Sequence, residues 1–170
     1  MMLRRFALAS VLLIASSAAP AMAQTATSPL GVSATVIANC TISTTAVAFG
    51  NYDPIVTNAS AAKANTAGSI TTTCTNGSTV GVRLGQGANA AGGSTDDVPL
   101  RQMINGANVL GYSLYQDAGL ATIWGNTAAT DLPLTGSGIA QITPIFGSIT
   151  GGQNKPAGSY TDTVVAAVDF

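Results

Sequence analysis

Ser69-Ile-Thr-Thr-Thr-Cys74 runs through Thr75-Asn76-Gly77-Ser78 into Thr79-Val-Gly-Val-Arg-Leu84, and this stretch decides the fold class. Both flanks are short and rich in β-branched residues, which suit a pleated, half-buried surface. Asn-Gly between two such runs is a strong short-range signal for a tight turn, so the stretch predicts a β-hairpin. The same grammar extends outward on both sides. Leu30-Gly-Val32-Ser-Ala34-Thr-Val36 alternates apolar with small or polar residues and continues through Ile37 to Cys40-Thr-Ile42. Val47-Ala-Phe49 stops at the turn cluster Gly50-Asn-Tyr-Asp-Pro54. Residues 85–98 are Gly- and Ala-rich and predict a surface loop. Val109–Tyr115 predicts a strand, with Ala121–Trp124 pairing back onto it after Gln116-Asp-Ala-Gly119. Gln141–Phe146 predicts another, in which Pro144 argues for an edge or a bulge. Tyr160–Phe170 predicts a last strand ending at the C-terminus. Long helical periodicity and internal repeats are both missing, and the expected class is an all-β sandwich.

The N-terminus carries a different signal. Arg4 and Arg5 precede the apolar run Phe6–Ala15, and small residues then lead to Ala21-Met22-Ala23. That is the tripartite secretory pattern, predicting a signal peptide over residues 1–23 and a mature chain from Gln24 to Phe170. The apolar run is too short to span a bilayer comfortably, so no membrane span is expected in the mature form. Two of the six basic residues leave with the signal. Lys63, Arg83, Arg101 and Lys155 then stand against seven Asp, a net charge of −3, too few cations to neutralise a nucleic-acid backbone. Charged residues are 8% of the chain, a surface poorly suited to a free monomer and tolerable in an assembling one. Cys40 and Cys74 are the two cysteines, and in an exported chain a disulfide between them is the default. Two Cys without His cannot supply the ligands of a structural zinc site.

Candidate chemistry is thin. His and Glu are absent, which leaves acid–base roles to Asp, Lys or Tyr. Ser60-Ala-Ala-Lys63 has serine acyl-enzyme spacing but lacks the companion elements. Gly85-Gln-Gly87 resembles a nucleotide-binding turn with no helix behind it. Asp96-Asp97 reads as a solvated loop rather than a calcium site. Asn39, Asn58 and Asn76 head glycosylation sequons of the kind that come by chance in such a composition. Tyr112, Tyr115 and Trp124 offer a sugar-binding platform, with core packing the better expectation. Neither an enzyme nor a cofactor is expected.

The ends suggest how the chain assembles. The last strand has no successor to pair with, and an unpaired apolar edge has to be covered. The alternating segment near the mature N-terminus is a spare strand able to cover it by strand addition.

The ordered set Cys40, Cys74, Leu110-x-Tyr112-x-Leu-Tyr115-x-Asp117, Trp124-Gly125, Pro144-Ile-Phe-Gly147, Pro156-x-Gly158-x-Tyr160-x-Asp162 and Val168-Asp-Phe170 resembles the spore coat protein U domain family. That family includes subunits of archaic, Csu-type chaperone–usher pili. The resemblance implies an incomplete immunoglobulin-like β-sandwich, completed by a donor strand from another subunit or from a chaperone. It implies Cys40–Cys74 as the family disulfide. Leu30, Val32, Ala34 and Val36, within an N-terminal donor strand over 24–36, would fill the groove of a neighbouring copy. Asp162, Val164, Ala166, Val168 and Phe170 would form the edge of the acceptor groove and pair with the chaperone strand. The implied partners are a periplasmic pilus chaperone, an outer-membrane usher and other copies of this or related pilins, with no nucleic acid. The implied place is the cell surface, reached through the periplasm, and the implied output is surface attachment and biofilm formation. The alternatives are a monomeric secreted module binding carbohydrate or another surface ligand, and a spore-coat-type structural protein.

Overall fold

A computed structural model describes residues 22–170. The expected signal peptide lies outside the described residues except for Met22 and Ala23. Chain contacts divide the molecule after Thr35. Residues 22–35 carry no regular structure and are exposed throughout. Val36–Phe170 forms the second unit, built from eight strands.

Those strands are β1 (Cys40–Thr45), β2 (Lys63–Cys74), β3 (Thr79–Leu84), β4 (Arg101–Asn105), β5 (Asn108–Tyr115), β6 (Leu132–Thr135), β7 (Gln141–Ile149) and β8 (Ala166–Asp169). They make a five-stranded sheet in the order β1-β2-β7-β5-β4 and a three-stranded sheet in the order β6-β3-β8, with every pairing antiparallel. This is the all-β sandwich expected of the alternating sequence.

The predicted hairpin over 69–84 does not form. Its two strands are real, but β2 belongs to the larger sheet and β3 to the smaller. The Thr75–Ser78 connection is an arch between layers. The Gly77 N–H donates to the Gly136 carbonyl, and the Gly136 N–H donates to the Ser78 carbonyl, so the turn, closed by Ser78 donating to the Thr75 carbonyl, is also tied to the chain leaving β6. The reason is burial on both strands. Ile70, Thr72 and Cys74 on β2 are buried, and so are Val80, Val82 and Leu84 on β3. Pairing in one flat sheet would leave one such row without a facing layer, whereas placing the strands in opposite layers sets the rows against each other.

The core between the layers is small. It centres on Ile70, Val82, Leu114, Trp124 and Ile149, all 3% exposed or less. Trp124 satisfies its indole N–H on the Val82 carbonyl at 2.8 Å, which lets so large a polar-tipped ring be fully buried. Pro144 sits in β7, an interior strand, yet β5 pairs with β7 only from Phe146 onward. Over Gln141–Ile145 the sole neighbour is β2, so the missing proline N–H falls where the ladder is one-sided. Val47–Phe49 is not a strand, and Ala121–Trp124 contributes only the bridge Tyr115↔Ile123. β4 and β6 were not anticipated. β4 joins β5 through a two-residue turn in which Gly106 takes φ 58°, a left-handed conformation that glycine adopts freely.

Candidate assembly groove

One side of the sandwich is open between the layers. β1 pairs with β2 and with no other strand among the described residues. Cys40, Ile42 and Thr44 stand opposite Cys74, Thr72 and Ile70, so they share the face that carries the core. Those three β2 residues are buried, while Ile42 and Thr44 are exposed. Beyond the half-buried Cys40, the inner face of β1 is therefore left largely uncovered by the described residues.

The opposite rim is residues 161–169. Thr161 exchanges both main-chain hydrogen bonds with Ile104 of β4, and the Thr163 and Val165 carbonyls accept from Ala88 and Gly85. The segment then becomes β8 and pairs with β3. It thus leaves the edge of the larger sheet and joins the smaller one. Every one of these bonds uses an odd-numbered residue of the segment up to Val165. In an extended chain successive residues point their main-chain groups to opposite sides, so those of Asp162, Val164, Ala166 and Val168 face the open side.

Between the rims lies a cavity of about 350 Å³ floored by Leu84, Leu114 and Ile145, with Val47 and Phe49 at its β1 side. A second cavity of about 760 Å³ adjoins it, sharing Phe49, Met103 and Tyr160. Phe49 packs edge-on against Tyr112, with ring centroids 6.0 Å apart. Gly68 and Gly147 let the Val47–Phe49 segment approach the sheet. A Cβ at Gly147 would stand 2.7 Å from the Phe49 ring, and one at Gly68 would collide with Val47.

The expected site residues fall as follows. Cys40 and Cys74 are disulfide-bonded at a directly opposed pair of β1 and β2. The bond ties the exposed edge strand to a buried one. Closing a loop of this length stabilises by about 3–4 kcal/mol on the chain-entropy account. Asp162, Val164 and Ala166 line the first cavity. Val168 packs against the core from β8, and Phe170 is 57% exposed beyond the end of that strand. The regular strand covers only Ala166–Asp169 of the expected 160–170, because the earlier part crosses between layers. Leu30, Val32, Ala34 and Val36 are exposed and carry no secondary structure. Of the rejected candidates, Tyr112 and Trp124 are core residues, not a platform. Asp96 accepts from Gln86 of its own loop and from Asn126 after Trp124.

Two buried polar features near the rim escaped sequence reasoning. The first is the polar cluster at Asp162. Its carboxylate accepts from the Tyr112 hydroxyl at 2.7 Å and from the Asn89 amide at 2.9 Å. Burial pushes the Tyr112 hydroxyl well above the usual tyrosine range, reinforced by that hydrogen bond and by the Asp162 charge. The second is Arg101, which is 1% exposed. Its guanidinium donates to the Leu84, Gly85 and Trp124 carbonyls at 2.8–2.9 Å, joining β4 to the end of β3 and the chain around Trp124. Burial lowers its pKa to about 10, opposed by Tyr112 and Asp162, so it stays charged at neutral pH. A lone Arg in a β-pattern carries no sequence signal for such a role.

Comparison with known proteins adds three findings. The profile of the Spore Coat Protein U domain matches residues 26–167. Protein U of Myxococcus xanthus is 43% identical over 158 residues, covering 89% of this chain and 88% of that protein. A similar fold occurs in the crystal structure of a chaperone–tip adhesion subunit pre-assembly complex from the archaic chaperone–usher Csu pili of Acinetobacter baumannii. The TM-score is 0.56 at 21% identity, over 80% of this chain and 40% of the matched one. The chain thus spans less than half the length of that matched structure, and the likeness is one of fold.

Proposed function

Because this chain belongs to the spore coat protein U domain family, a family of structural proteins and not of enzymes, we propose that it is an exported subunit of a chaperone–usher pilus that polymerises by donor-strand exchange. The observation that carries this reading is the uncovered cleft between β1 and residues 161–168, apolar on its floor and bordered by free main-chain groups on its rim. A single added strand satisfies both deficits at once, with main-chain bonds to the rim and alternate side chains into the cavities. The segment around Leu30–Val36 has the matching pattern, with Leu30, Val32, Ala34 and Val36 on one face when extended. Each buried Leu or Val contributes roughly 1.5–3 kcal/mol, so such a joint would dissociate very slowly.

On this reading residues 1–23 direct export and are removed before Gln24. A periplasmic chaperone fills the groove first, and at the outer-membrane usher residues 24–36 of another copy replace it. The product is a surface fibre serving attachment and biofilm formation. Deleting Gln24–Val36 is expected to abolish the heat-sensitive ladder of multimers on a denaturing gel while leaving the chaperone complex intact. A deletion variant that still forms fibres would overturn the reading. The likeness to Protein U over nearly its whole length favours a second reading, a spore-coat-type structural protein. In that case the protein would be recovered from the spore surface without any ladder that depends on residues 24–36.

A further inference from the structure

The groove's rim is held by a device that strand pairing alone does not require. Among the described residues, Asp162 is the one charged residue lining a cavity otherwise made of apolar, Thr and Tyr side chains. Its two oxygens are both engaged, one by Tyr112 from β5 and the other by Asn89 from the loop after β3. Tyr112 is itself in the core and packs against Phe49 on the far side of the cleft. Gly87 in the same loop takes φ 89°, and a Cβ there would collide with the Asp162 carboxylate. The loop is therefore shaped around this carboxylate. Without it, residues 162–164 would depend on the paired main-chain bonds at Thr161 and the single one at Thr163, between the last pairing with β4 and the first with β3.

Building on the groove reading above, we propose that Asp162 is a positioning residue for strand uptake. Its links to Tyr112 and Asn89 hold residues 161–165 extended, so that the free main-chain groups of the rim are already aligned when the incoming strand arrives. A rim that is ordered only part of the time lowers the productive fraction of encounters in proportion to that fraction. The signature is a slower association with a nearly unchanged dissociation, since the bound strand itself completes the rim.

The test uses the whole mature chain, at concentrations where it is monomeric, and a fluorescently labelled synthetic peptide of residues 24–36 followed by stopped-flow anisotropy. Asp162→Ala is expected to slow association about ten-fold, as a rim ordered in a tenth of molecules would, with dissociation changed less than about two-fold. Asp162→Asn, which keeps one acceptor oxygen, should recover part of the rate. Tyr112→Phe keeps the ring in the core and removes one of the two links, and should slow association by a smaller factor. It reads the same effect if Asp162→Ala does not fold. Association of Tyr112→Phe and Asp162→Asn at the native rate would overturn the proposal, as would a loss confined to dissociation. A peptide that fails to bind the native chain would instead overturn the groove reading itself.

Discussion

At the scale of single residues, the open side of the sandwich is flanked by buried polar groups held by hydrogen bonds from Arg101 and Tyr112. Tyr112 is the clearest case, and its shifted ionisation has a definite sign. The unfolded chain gives up the tyrosine proton near pH 10, whereas the folded one retains it well above that. Above about pH 10 the unfolded state thus binds fewer protons, and the stability contributed by Tyr112 is lost as pH rises. Tyr112→Phe lacks that proton, so the stability difference between the native protein and this variant should shrink as pH rises above about 10, measured by urea unfolding. Arg101 makes a different demand. Arg101→Ala leaves the buried carbonyls of Leu84 and Trp124 and the part-buried one of Gly85 without this donor. The expected loss is about 2–4 kcal/mol, read as a lower urea midpoint with little change in slope. Arg101→Lys should recover only part of it, since an ammonium cannot reproduce the planar fork.

At the scale of elements, the arch between β2 and β3 decides which strands face which. Gly77 within it and Gly136 beside it differ in what they cost to replace. Gly77 takes φ 78° with open space around it, so Gly77→Ala pays only for the left-handed backbone, about 1 kcal/mol. Gly136 lies against the arch, where a Cβ would collide with the Thr75 carbonyl and press on the Ser78 hydroxyl and the Cys74 Cβ. Gly136→Ala must push the arch off the β6 end, and its thermal midpoint should fall clearly further than that of Gly77→Ala. Equal effects would mean that the arch is not held by its contact with Gly136. The smaller sheet is also braced on its outer surface. Arg83 on β3 meets Asp169 of β8 at 2.7 Å, a partly exposed pair worth about 1 kcal/mol. β8 is therefore kept in place chiefly by its ladder to β3 and by Val168 and Ala166 against the core.

At the scale of the molecule, the segment before Thr35 and the sandwich carry separate tasks. Residues 24–35 are exposed and without secondary structure, so deleting them should change the unfolding free energy of the isolated chain by no more than about 0.5 kcal/mol. Calorimetry of the two proteins checks this, and a large loss would show that the segment supports its own fold. Much of this organisation is legible in the residues. Period-2 alternation and Gly/Asn punctuation identify the strands β2, β3, β5 and β7, since a half-buried strand must show its two faces in sequence. The disulfide was expected from the oxidising route, and the motif from Cys40 to Phe170 pointed to the family. The residues alone could not say that Ser69–Leu84 spans two layers instead of closing a hairpin. Asn-Gly permits either connection, and the choice depends on what each buried row meets across the core. Nor could they reveal Asp162 as a ligand of Tyr112 and Asn89, or Arg101 as a donor to three carbonyls. Those partners lie 16 to 73 positions away in the chain and become neighbours only when the layers close. Local pattern determined most of the strands, though not β4 or β6. Which edges stay open, and what holds them open, was decided by long-range burial.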